Sequence, residues 1–249
     1  MAHRPSDTEQ PESIINQRIL VGTSGFSYTE WRGKFYPPEL SPKKFLNYYA
    51  QHFSTTEINN TFYRIPTPAL VGNWHDEVPA QFKFTLKVSQ VITHRKKLKA
   101  VDSEMQRFLE GAAALKEKLA TLLVQLPPFL RKDLDTLEDF LNKFSSRARL
   151  SFEFRHTSWF CDDLYQLLGR HQCALAVVEK EEGEGAEAPR EVTAPFVYMR
   201  LRKGDYTAAE MREWARWIRS QSVPVYCYLK HDERAPVLAK ELLAALDGV

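Results

Sequence analysis

Eight short runs of β-branched, aromatic and aliphatic residues punctuate the chain: Ile19–Thr23, Thr56–Asn59, Lys83–Lys87, Thr121–Leu126, Leu150–Phe154, Ala174–Val178, Phe196–Leu201 and Val225–Leu229. Between most of them lie segments whose apolar positions recur every three to four residues, the spacing of one helix face. These are Pro42–His52, with Ser41 as its N-cap, Ser103–Leu119, Leu134–Phe144, Asp162–Arg170, Ala208–Gln221 and Ala235–Leu246. Strand and helix alternating at this spacing predict βαβ units on a parallel sheet. Eight such strands predict an α/β fold, a single (β/α)8-type TIM barrel spanning 19–249 after a flexible lead-in of residues 1–18. One unit departs from the pattern. Residues 179–195 read EKEEGEGAEAPREVTAP, with no apolar face, so an acidic loop is expected in place of a helix, irregular over 180–194.

Alternate residues of a strand share a face. That rule groups Glu57, Asn59 and Thr61 opposite Ile58, and Ser151, Glu153 and Arg155 opposite Phe152 and Phe154. It likewise pairs Thr85 with Lys87, Leu123 with Gln125, and Tyr198 with Arg200 and Arg202. A barrel turns its apolar faces to the helices, so these polar sets are expected to point inward. They gather at the late end of each strand, where barrel enzymes keep their chemistry.

Several strings are long and unusual: VGTSGFSYTEWRGKFYP (21–37), TEINNTFYRIP (56–66), FKFTLKVSQVITH (82–94), LLVQLPP (122–128) and FEFRHTSWF (152–160). In this order, over roughly 19–246, the chain resembles the YecE-like family, domain of unknown function 72. The resemblance implies a TIM-barrel-like fold and no established reaction. Two departures stand out. Phe26 occupies a position where relatives usually carry Trp, and Leu229–Lys230–His231–Asp232 replaces a typical Phe-Asn-Asn-Asp, which puts two cationic residue types where neutral amides are usual.

Charge narrows the picture further. With 34 basic against 32 acidic side chains the formal net charge is only +2, so no global field favours nucleic acid, although a local patch could. No apolar run is long enough to span a bilayer, so no membrane partner is expected. The first residues lack the apolar core of a secretory signal. The three cysteines, Cys161, Cys173 and Cys227, show no CxxC spacing and read as free thiols of a cytoplasmic protein.

The inward polar residues supply the candidate chemistry. Glu57 and Glu153 could serve as general acid and base if burial and mutual repulsion separate their pKa values. The structural alternative pairs each with a cation, Glu57 with Lys87 and Glu153 with Arg200. His156 joins them as a proton carrier or an orienting group. Lys87, Arg155, Arg200 and Lys230 make the pocket rich in cations suited to phosphate or carboxylate, with Asn59 and Gln125 as neutral ligand contacts. The glycines Gly22 and Gly25 read as turn geometry or as room for backbone N–H groups at an anion.

His94, His156 and His231 with the glutamates could ligate a metal. The chain has no HExxH string, however, and Arg155 would oppose a cation, so neither metal nor cofactor is expected. The aromatics Phe26, Tyr28, Trp31, Tyr36, Phe62, Tyr63, Trp159 and Tyr206 follow strand ends, where they either pack loops onto the barrel or stack on a ring. No P-loop, GxGxxG or GxSxG string is present. The function expected is therefore an enzyme of hydrolase or lyase type with a small-molecule or phosphate-bearing ligand. The alternatives are a nucleic-acid-binding or processing protein using the same face, and a barrel that binds a ligand without catalysis.

Overall fold

A computed structural model describes residues 18–179, 188–230 and 233–249. Eight parallel strands close in sequence order into a barrel: β1 Ile19–Ser24, β2 Thr55–Ile58, β3 Lys83–Lys87, β4 Leu119–Gln125, β5 Leu150–Glu153, β6 Ala174–Glu179, β7 Val197–Leu201 and β8 Val225–Leu229. The expected TIM-type α/β fold is the one observed, and each run lies within about two residues of its strand.

Helices pack outside: α1 Phe45–Tyr49, α2 Pro68–Glu77, α3 Asp102–Ala112, α4 Leu134–Phe144, α5 Asp162–Arg170, α6 Ala208–Arg219 and α7 Ala235–Asp247. Their apolar faces join the outward residues of the strands in one continuous core, which includes Phe84, Leu122, Phe152, Leu168, Ile218 and Leu242. Helix starts carry the chemistry that helix ends need. Thr207 caps α6 and Glu210 bonds back to it, and Asp133 caps α4. Ser41 does not cap: its side chain makes no such bond, and α1 is entered through a tight 3-10 turn led by Pro42.

The β6–β7 unit departs as expected where it can be seen. Residues 188–194 have no regular structure, while 180–187 fall outside the described residues. Thr193 ties this stretch to the start of β6, accepting from the Leu175 N–H (2.8 Å) and donating to the Cys173 carbonyl (2.7 Å). Arg190 lies over the Trp214 ring at 4.1 Å.

The lumen is layered. A lower, apolar set (Leu20, Ala174, Ala176, Phe196, Tyr226 among them) fills the early ends of the strands. Above it hydroxyls take over. Tyr228 Oη lies 2.9 Å from Thr55 Oγ1 and 2.8 Å from Thr85 Oγ1, and Thr121 and Ser151 pair at 2.9 Å. Gly22 is required in this wall, since a Cβ there would lie 1.9 Å from the Thr55 carbonyl oxygen.

Candidate functional site

Glu57, Glu153 and Arg200 end β2, β5 and β7, and all three are fully buried. They do not form the two separate pairs considered from sequence. One guanidinium joins both carboxylates, with Nη1 donating to Glu153 Oε2 at 2.5 Å and Nη2 donating to Glu57 Oε1 at 3.0 Å. The remaining lone pairs are met as well. Ser24 and Tyr198 hydroxyls donate short hydrogen bonds to Glu57, and Gln125 Nε2 donates to Glu153 at 2.8 Å. Asn59 Nδ2 donates to Ser24 Oγ at 3.0 Å. Asn59 and Gln125, expected to touch ligand, thus support this network.

The electrostatics follow from the geometry. Burial works against ionisation of both carboxylates, but the shared Arg200 charge and the hydrogen bonds prevail. Glu57 is held below its ordinary value and Glu153 is brought from 4.5 to about 2. Arg200 is raised, because two carboxylates face it against the cost of burial. The sequence-based expectation that repulsion would separate the two glutamates is corrected here. Each carboxylate faces the cation between them, so both stay ionised at neutral pH.

A second ring of residues lies outside this brace and is half-exposed: Asn59, Phe62, Lys87, His94, Arg155, His156, Arg202 and Lys230. Lys87 ends β3. Its ammonium sits 4.3 Å from the centre of the Phe62 ring, and the edge of His94 meets that ring at 5.0 Å. Among the described residues Lys87, Arg155 and Lys230 form no ion pair, and Arg155 Nε is buried with no hydrogen-bond partner. Burial first, then Arg200, lower the Lys87 pKa from 10.5 to about 8, against the opposing pull of Glu57 and Glu153. Lys230 is lowered by burial and by Arg202 and Arg200, and His94 by burial, Lys87 and Arg155. Among the described residues, this half of the mouth is short of negative charge.

His156 caps a turn with one of its two ring nitrogens. Its Nδ1 accepts from the Ser158 N–H at 3.1 Å and meets Ser158 Oγ at 2.9 Å, so it starts the short turn Thr157–Trp159 and only Nε2 faces outward chemistry. Thr61 is not on the inward face. The strand ends at Ile58, the chain makes a single helical turn over Asn60–Tyr63, and the Thr61 hydroxyl donates to the Ile58 and Lys87 carbonyls. Gly25 has φ +99°, so it serves turn geometry.

Of the aromatics singled out from sequence, Trp31, Tyr36, Trp159 and Tyr206 are buried as packing, and Tyr63 is strongly exposed, at 72%. No group of three or more metal-ligating side chains is found among the described residues; His231 lies outside them. No helix among them is long and apolar enough to cross a membrane. A flank cleft of about 420 Å³ between the barrel wall and its helices is lined by Phe160, Tyr165, Glu179 and Trp214. It is separate from the charged mouth.

Residues that the sequence did not single out are Ser24, Tyr198 as a carboxylate partner, and the Phe62–His94 contact. Ser24 was readable in principle, since it shares the inward face of β1 with Leu20 and Gly22.

Comparison with known proteins places this architecture. Residues 20–248 match the family described as Protein of unknown function DUF72. The UPF0759 protein YecE of Escherichia coli K12 is 30% identical over 116 residues, 46% of this chain; the match spans 43% of that relative's length. The crystal structure of a DUF72 family protein from Thermotoga maritima superimposes with a TM-score of 0.79 at 25% identity, covering 92% of this chain and 99% of that one. A DUF72 family protein from Enterococcus faecalis gives a TM-score of 0.74 at 21% identity over 92% and 97% of the two chains.

Proposed function

Because the chain belongs to the DUF72 family, whose description carries no activity, we propose a function from the barrel mouth itself: an enzyme of hydrolase or lyase type that binds a small molecule bearing a phosphate or carboxylate. Lys87, Arg155 and Lys230 hold the anion. The Glu57–Arg200–Glu153 brace is the rigid floor beneath it, and Lys87, titrating near neutrality, is the group best suited to move a proton. The observation that carries this reading is that Lys87, Arg155 and Lys230 are half-exposed and form no ion pair among the described residues.

The test is sulfate or phosphate binding at fixed ionic strength, followed by thermal shift and titration calorimetry. The wild type is expected to gain stability with either anion, and Arg155→Ala to bind about tenfold more weakly, the worth of one charge-assisted hydrogen bond. Unchanged binding in Arg155→Ala would remove the mouth as the anion site. A second reading, contact with a nucleic-acid backbone, is favoured by exposed Tyr63 and Phe129 and by Lys97, which lies 5.3 Å from the Phe129 ring. It requires a steep loss of DNA or RNA affinity with rising salt.

A further inference from the structure

We propose that Lys87 is a nucleophile that forms an imine with an aldehyde or ketone bearing a carboxylate or phosphate, the anion being held by Arg155 and Lys230. This deepens the anion-binding reading above and rests on it.

The argument begins with access. Glu57, Glu153, Arg200 and Tyr198 are buried completely, so a ligand in the mouth cannot touch them without opening the barrel. Lys87 is the half-exposed side chain at the end of β3, directed to the same space. An amine attacks a carbonyl only when uncharged, and the usual ways of freeing one are an apolar wall and a second cation nearby. Here burial of the side chain and the Arg200 guanidinium do this, while the face of the Phe62 ring, 4.3 Å from the nitrogen, fixes its position.

The carboxylates that would otherwise keep the ammonium charged are already engaged. Glu153 takes Arg200 and Gln125, and Glu57 takes Arg200, Ser24 and Tyr198. Among the described residues, the charged and titratable groups around Lys87 are Arg200 from β7, Glu57 from β2, Glu153 from β5, His94 after β3 and Lys230 after β8, with Arg155 after β5 on the far side of His94. Four of these six are basic residues, and the two acids face inward to the brace. His94 shares the Phe62 ring with Lys87 and titrates below its ordinary value, so it is neutral and able to exchange protons.

The step balances without any added oxidant or reductant. The Lys87 lone pair forms the C–N bond while the carbonyl π pair moves to oxygen, which takes a proton. Nitrogen then loses its protons as the hydroxyl leaves with one more as water, giving the C=N bond. Net, amine and carbonyl give imine and one water. An imine beside fixed cations stabilises negative charge on the neighbouring carbon, which is what a lyase needs.

Borohydride trapping tests this on the intact wild-type chain, near pH 8. The protein is incubated with cyanoborohydride and pyruvate, dihydroxyacetone phosphate or uncharged acetone, then digested and mapped by mass spectrometry. A reduced adduct is expected on the Lys87 peptide with pyruvate, dihydroxyacetone phosphate or both. It should exceed the adduct on exposed lysines such as Lys34 and Lys143, and exceed that formed by acetone by about tenfold. Sulfate should suppress it, and Lys87→Arg should abolish it. Which anionic probe labels better tells carboxylate from phosphate preference. Lys87 labelled no more than the exposed lysines overturns the imine. If sulfate still stabilises the wild type in that case, only the nucleophile fails; if it does not, the anion site fails with it.

Discussion

Arg200 and Arg155 are both arginines at the C-terminal end of a barrel strand, yet they meet opposite conditions. Arg200 is fully buried and gives its two terminal nitrogens to Glu57 and Glu153, which are saturated in turn by Ser24, Tyr198 and Gln125. Arg155 is half-exposed and without an ion pair among the described residues, while the Nε of both arginines is buried and unmet. A charge can be buried when its partners are built in; a charge left open at the rim stays costly until something arrives. Charge alone therefore does not mark function in this mouth. What separates floor from site is whether the partners are already there.

The largest expected effect breaks the floor. Arg200→Met leaves two buried carboxylates without their common cation and should lower stability by about 3–5 kcal/mol, read from the denaturant midpoint. If it costs no more than Arg155→Ala, the contrast between the two arginines is false.

A smaller effect sharpens the contrast by pH. Glu153 falls from 4.5 to about 2 on folding, so its contribution is complete above pH 4.5 and is lost as pH drops toward 2. Glu153→Gln should cost about 1–3 kcal/mol at neutral pH and flatten the acid limb of the stability profile between those limits. An acid limb identical to wild type would show that the carboxylate is not held ionised by the brace.

The smallest effect concerns the rim. Sulfate remains a dianion over the range where Lys87 titrates, so its binding should weaken by about 1 kcal/mol as pH rises through about 8 and the ammonium is lost. In Lys87→Arg that pH dependence should vanish. A wild-type profile flat from pH 7 to 9 would remove Lys87 from the anion site.

The barrel was legible because eight short, largely apolar runs recur between segments that mostly carry one apolar stripe. Helix α2 was not, since PALVGNWHDE buries only Val71 and offers no stripe to read. Extending the alternation of β2 past Ile58 misplaced Thr61, because the chain turns helical at Asn60. The inward position of Glu57, Glu153 and Arg200 was legible, but their pairing was not. Arg200 meets partners 143 and 47 residues away, and two-fold alternation says which face a residue takes, never what faces it across a lumen. The use of His156 Nδ1 as a turn cap depends on φ and ψ that spacing does not encode.

The brace also bears on synthesis. Its anions belong to the second and fifth strands and its cation to the seventh, so a nascent chain carries both carboxylates long before residue 200 emerges. Until then an early sheet of the first five or six strands would have to bury Glu57 and Glu153 unpaired, which disfavours a closed partial barrel. Arrival of Arg200 removes that penalty at once, and with it the last obstacle to closure. The brace is therefore a bond between early and late parts of the chain, which can form only once the seventh strand has joined the sheet.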